Sequence, residues 1–172
     1  MQYTPIVSLC QIKLTKKQKT PPDQPVRGKL VPTSLTKGLT RMTPIKLTPA
    51  FMAVLDQKNL TTKDLVLIAD DGGGKYSLQG GACTIGTNFT LIVLDAPDPD
   101  YPVAIANDQG LHLWSSDYDL YFLGAGLTLD VAHHNILLKD DAELLDSTVK
   151  IARGQDVLDA FRQGIKLSGD GC

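Results

Sequence analysis

The sequence predicts an α+β fold: a mainly antiparallel β-sheet or sandwich, with a short helix near residues 49–58 and helices covering the sheet near the C-terminus. Three observations carry this. Strand-sized apolar runs separated by Gly, Pro, Asn and Asp occupy residues 65–138. Thr48-Pro49 stands before AFMAVLDQK as a capping hydroxyl followed by proline at the first helical position. After Asp140 the apolar period changes from two to about 3.6. Strands followed by helices are the pattern of helices packed on one face or end of a sheet.

Taken in order, Ile6–Leu14 is apolar at Ile6, Cys10, Ile12 and Leu14, as a half-buried strand would be. An exposed basic, Pro-containing loop follows at about 15–25. Val26–Val31 and Arg41–Leu47 read as short edge strands, because Pro32 and Pro44 interrupt them. Phe51, Val54, Leu55 and Lys58 give the short amphipathic helix. Leu65–Ala69 and Phe89–Leu94 read as buried strands, and Leu127, Leu129 and Val131 alternate with Thr128, Asp130 and Ala132. Asp140 with Glu143 three residues later resembles a capping box. Leu144, Leu145, Thr148, Val149 and Ala152 then fall on one helical stripe, and Val157, Leu158, Phe161 and Ile165 on a second.

A chain of 172 residues, 42% hydrophobic and 21% charged, has the composition of one globular domain over residues 1–172. No apolar run reaches the roughly 18–20 residues of a spanning helix, and no secretory signal is visible. The cysteines, Cys10, Cys83 and Cys172, are an odd set without CxxC spacing, which predicts a reduced, cytoplasmic setting. Of nineteen acids, eighteen are Asp, with Glu143 the exception. Asp favours turns and caps, so the bias predicts many turns and little exposed helix.

Charge is unevenly spread. Residues 1–50 hold nine Lys or Arg against Asp23, net +8, and residues 51–172 hold eight bases against eighteen acids, net −10. This split predicts a non-catalytic structural or protein-interaction protein, a subunit of a larger assembly or a self-associating chain. Its candidate docking surface is Lys16, Lys17, Lys19, Arg27 and Lys29. The basic third has only Tyr3 as an aromatic and no nucleic-acid reader motif, which argues against nucleic acid.

Two alternatives rest on other motifs. One is a calcium- or small-ligand-binding β module: Asp95, Asp98 and Asp100 in one loop, Asp117 and Asp119 in another, and Asp70 with Asp71 in a third are candidate calcium ligands, since hard cations need six to eight oxygens. Turn chemistry explains the same residues. Cys83, flanked by Gly80, Gly81 and Ala82, is the candidate nucleophile of a hydrolase, given a histidine such as His133 beside it. A strand through residues 127–134 would put His133 on its apolar face and His134 on the other; His112 would point outward with Trp114. The Asp70–Lys75 stretch (DDGGGK) lacks the hydroxyl after lysine that a phosphate loop uses, and reads as a glycine-permitted turn.

Overall fold

The computed structural model describes residues 44–78, 87–165 and 169. The basic loop at 15–25, the first two predicted strands, the five candidate docking residues and all three cysteines lie outside them. Among the described residues the elements run β1 (Lys46–Leu47), α1 (Pro49–Gln57), β2 (Asp64–Asp70), β3 (Asn88–Leu94), β4 (Val103–Ala104), β5 (Leu113–Ser115), a 3₁₀ turn (Asp119–Phe122), β6 (Thr128–Ala132), β7 (Asn135–Lys139), β8 (Leu144–Arg153) and α2 (Gly154–Arg162).

The strands make one mixed sheet, ordered β1-β6-β7-β8-β3-β2-β5-β4. The α+β class and β-rich character hold. The antiparallel expectation holds for β2–β3, β4–β5, β6–β7 and β7–β8, whereas β1–β6, β2–β5 and β3–β8 are parallel. Helix α1 begins as its cap predicted: Thr48 Oγ1 accepts the Phe51 amide at 3.3 Å, with Pro49 in the first turn. Among the described residues no helix is long and apolar enough to cross a membrane.

The predicted helix after Asp140 is instead the ten-residue strand β8. The Asp140 carboxylate does accept amides, from Ala142 and Glu143 at 2.8 Å each, but Asp140 N also donates to the Glu143 carbonyl. These bonds close the β7–β8 hairpin: the same side-chain chemistry that caps a helix can cap a turn. Beyond it Thr148, Val149 and Ile151 are β-branched and suit a pleated surface. The second stripe is helical, as α2, so one C-terminal helix covers the sheet where two were expected.

Strand β8 belongs to two pairings. Its first part faces β7, with Ile136↔Val149 and Lys139↔Leu144 in register, and its last part faces β3, from Thr90↔Lys150 to Val93↔Arg153. Between Ile136↔Val149 and Leu138↔Asp146, three residues of β8 span two of β7, and a further shift follows. Such bulges bend a strand and raise its twist. Asp146 sits there, buried; its Oδ2 accepts the Phe89 amide at 2.7 Å and its Oδ1 the Thr148 amide at 2.7 Å.

Two cores result. Leu65, Leu67, Phe89, Leu91 and Leu113 of one half-sheet meet Leu129, Ile136, Leu138 and Val149 of the other, together with Phe51 and Leu55 of α1. The alternate residues Val66, Ile68, Ile92, Leu94 and Ala152 face Val157 of α2, Tyr76 and Tyr101. Being covered on both faces, β2 and β3 read as continuous apolar runs. Helix α2 comes close because residue 154 is glycine: a Cβ there would lie 2.5 Å from Leu94 Cδ2 and 3.0 Å from Tyr76 Cε1.

Two substitutions test this frame by urea unfolding. Asp146→Ala is expected to cost about 1–3 kcal/mol, chiefly because the buried Phe89 amide loses its acceptor. Gly154→Ala is expected to cost about 1–3 kcal/mol through overpacking against Leu94 and Tyr76. Both should lower the midpoint with the slope unchanged.

Candidate functional site

Three loops meet at the C-terminal end of β2, and they are the three Asp-bearing loops of the sequence. Asp70, 1% exposed, takes the Ser77 hydroxyl at 2.5 Å, the Leu78 amide at 3.1 Å and the Thr90 hydroxyl at 3.3 Å, which folds residues 71–78 back over the strand end. Asp119 performs the same service from the opposite side. Its Oδ1 accepts the Ala69 amide at 2.9 Å and its Oδ2 the Ser116 hydroxyl at 2.5 Å. Asp98 turns its own loop by accepting the Asp100 amide at 3.0 Å.

Side chains then tie the loops together. Lys75 Nζ bonds Asp98 Oδ2 at 2.7 Å and Asp100 Oδ2 at 3.1 Å, and the Tyr76 hydroxyl donates to Asp98 Oδ2 at 2.6 Å. Tyr76 stands against Tyr101, ring centroids 5.7 Å apart. The Tyr118 hydroxyl donates to Asp71 Oδ2. Ile68, Gly74, Lys75, Tyr101, Tyr118 and Asp119 line a cleft of about 250 Å³ between the loops. On the far side of the glycine loop a groove of about 520 Å³ opens toward Leu158 and Phe161 of α2. A third cleft, about 610 Å³, lies between the end of α1 and the start of α2, with Lys58, Lys63 and Arg153 on its walls.

The electrostatics of the brace are self-contained. Hydrogen bonds to Asp98 and Asp100 raise the Lys75 ammonium above its ordinary range. Burial works against the Asp98 carboxylate, but the bonds from Lys75 and Tyr76 outweigh it and hold its pKa down. Burial, then the bond to Asp98, pushes Tyr76 up to about 12. Burial first, then nearby carboxylates, raises Tyr101 as well. The Tyr118 hydroxyl, then the Gly73 amide, lowers Asp71. At neutral pH Lys75 is therefore charged, Asp71 and Asp98 are ionised, and Tyr76 and Tyr101 are neutral. They bind and orient; none of them is tuned to shuttle a proton near pH 7.

The loops converge as a metal site would require, yet the carboxylates of Asp95, Asp98, Asp100 and Asp119 already have protein partners. Asp98 and Asp100 hold Lys75, Asp119 holds a backbone amide, Asp95 pairs with Lys63 at 2.8 Å, and Asp117 is exposed. Among the described residues no three His, Cys, Asp or Glu side chains gather to hold a metal ion. His133 and His134 are the exposed central residues of the β6–β7 turn, with φ of 51° and 63°, because β6 stops at Ala132. His112 is exposed, its Nδ1 3.5 Å from Asp64 Oδ1, which also accepts Trp114 Nε1 at 2.9 Å. The sequence reading missed the tyrosines that lock the brace. A signal was present: Tyr76, Tyr101 and Tyr118 each adjoin an Asp or the lysine of one loop.

The sequence profile described as iron-sulphur cluster biosynthesis matches residues 43–153, which is 111 of 172 positions, from just before β1 to the last residue of β8. The chain belongs to this family. It is also similar to the crystal structure of a candidate Fe-S biosynthesis protein from Lactobacillus acidophilus, at 38% identity and TM-score 0.63 over 71% of this chain and 99% of that one. A second such protein, from Lactobacillus salivarius and described as having a novel fold, aligns at 18% identity and TM-score 0.49 over 64% of this chain and 99% of that one. No curated relative matches. Family membership overturns the expectation of a purely structural assembly subunit. Of the charge split that suggested assembly, the basic part lies before the family span, net +7 over residues 1–42, and the acidic part within it, net −8 over residues 43–153.

The alkaline limb of stability tests the brace. A raised tyrosine pKa contributes stability that is complete below the ordinary value of 10.0 and is lost as pH rises toward about 12. The Tm of the wild type should therefore fall above pH 10. Tyr76→Phe should be less stable at neutral pH and fall less steeply there, with Tyr101 supplying the remaining slope.

Proposed function

We propose that this chain takes part in iron–sulphur cluster biosynthesis, working with a protein partner in a reducing, cytoplasmic setting. The observation that carries the reading is the family match, because it spans every described strand and helix α1 rather than one motif. The similarity to the Lactobacillus acidophilus protein over 71% of the chain supports it. The scattered cysteines, without CxxC spacing, fit a compartment where thiols stay reduced.

The brace supports the reading in a second way. Its lysine, phenols and carboxylates are mutually satisfied, so the described loops offer a fixed surface rather than a reaction centre. A cluster in this pathway is cargo, formed elsewhere or passed onward, and the chain's part is to promote that formation or passage.

The test is cluster acquisition by an apo-ferredoxin supplied with ferrous iron, a sulphide source and a cluster-donating scaffold protein, followed by visible circular dichroism under anaerobic conditions. Adding this chain should raise the rate at least several-fold. An unchanged rate with every scaffold tried, from a chain shown to be folded, would remove the proposal.

A further inference from the structure

The family concerns iron–sulphur clusters, and the donor set within the matched span of this chain does not suit holding one. Iron–sulphur clusters are bound by cysteine thiolates, four for the common [2Fe–2S] and [4Fe–4S] types, with two histidines replacing two of them in one class. Thiolate is the ligand because it is soft and strongly donating, and carboxylate or hydroxyl oxygen is a poor substitute.

Within residues 43–153 there is one cysteine, Cys83, and the other two lie 33 residues before and 19 residues after the span. The span contains three histidines, and the fold keeps them apart. His112 immediately precedes β5 and its carbonyl accepts the amide of Leu65, near the start of β2. His133 and His134 form the tip of the β6–β7 hairpin. The carboxylates that do converge are taken by Lys75, by tyrosine hydroxyls and by backbone amides.

We infer that the family domain of this chain acts in cluster biosynthesis without ligating the cluster, and that the cluster it serves is held on the thiolates of a partner protein. This rests on the functional reading above and narrows it: the partner is a cluster-bearing protein with its own complete ligand set.

The experiment uses the full chain and its Cys83→Ser variant, both verified as folded by circular dichroism and Tm. Each is incubated anaerobically with ferrous iron, sulphide and a thiol reductant, then desalted. Iron, acid-labile sulphide and the visible thiolate-to-iron bands are measured, and both proteins are assayed for stimulation of apo-ferredoxin loading. The expected result is iron and sulphide far below one cluster per chain or per dimer, no visible bands, and undiminished stimulation by Cys83→Ser. Near-stoichiometric iron and sulphide, with bands abolished by Cys83→Ser, would overturn the inference while leaving the proposed function intact. Loss of stimulation in Cys83→Ser alone would also overturn it. Absence of stimulation by either protein, with no cluster bound, would remove the functional reading and this inference's partner with it, leaving the donor-set result standing.

Discussion

The fold depends on one strand being shared. β8 pairs with β7 along its first part and with β3 along its last, so it is the seam through which two half-sheets become one. A straight strand could not serve both, since the halves must turn toward each other to enclose Phe51 and Leu55 of α1. The register shifts supply the bend, and each leaves backbone groups without their ladder partners. Asp146 accepts two such amides, one from β3 and one from β8 itself. The parallel β3–β8 pair and the close seating of α2 on Gly154 both follow from where that bend falls.

The same device recurs at most of the irregular points of the chain. Asp71, Asp98, Asp108, Asp119, Asp130 and Asp140 each accept at least one backbone amide, at Gly73, Asp100, Leu47, Ala69, Val131 and Ala142 respectively. A buried or half-buried amide needs an acceptor wherever the ladder is interrupted, and the short aspartate side chain reaches one locally or across a strand end. This is the physical content of an acid composition that is almost all Asp. Among the described residues, most of the oxygens of the loops that resemble a cation site in sequence are bonded to the protein's own backbone, to Lys75 and to tyrosine hydroxyls.

Much of the frame was legible in the sequence, for reasons that can be named. Helix α1 carried its own start signal in Thr48-Pro49, and β2 and β3 announced burial on both faces by unbroken apolar runs. β6 announced burial on one face by alternation. The misreading of residues 144–152 has an equally definite cause. Leu144, Leu145, Thr148, Val149 and Ala152 keep helical spacing because two bulges shift the strand's own parity, so a period of two never completes. Parallel pairings between distant strands leave no local mark. The convergence of three Asp loops was not visible either, though a tyrosine beside each was. The family itself left no short motif, since neither a cysteine pair nor a phosphate loop is present.

That last absence bears on what the domain does. A protein that holds a cluster must keep several deprotonated thiolates close together, and the span matched by the family profile contains one cysteine. What it offers instead is a rigid end of sheet, where Lys75, Tyr76, Asp98 and Tyr101 fix one loop to another and Tyr118 fixes a third to Asp71. Fixing loops costs conformational entropy that is repaid when those loops must meet a partner already arranged. A braced surface next to two open grooves suits the proposed role of meeting a partner protein. On that proposal the cluster's chemistry belongs to the partner, and the aspartate-braced loops are the candidate surface that meets it.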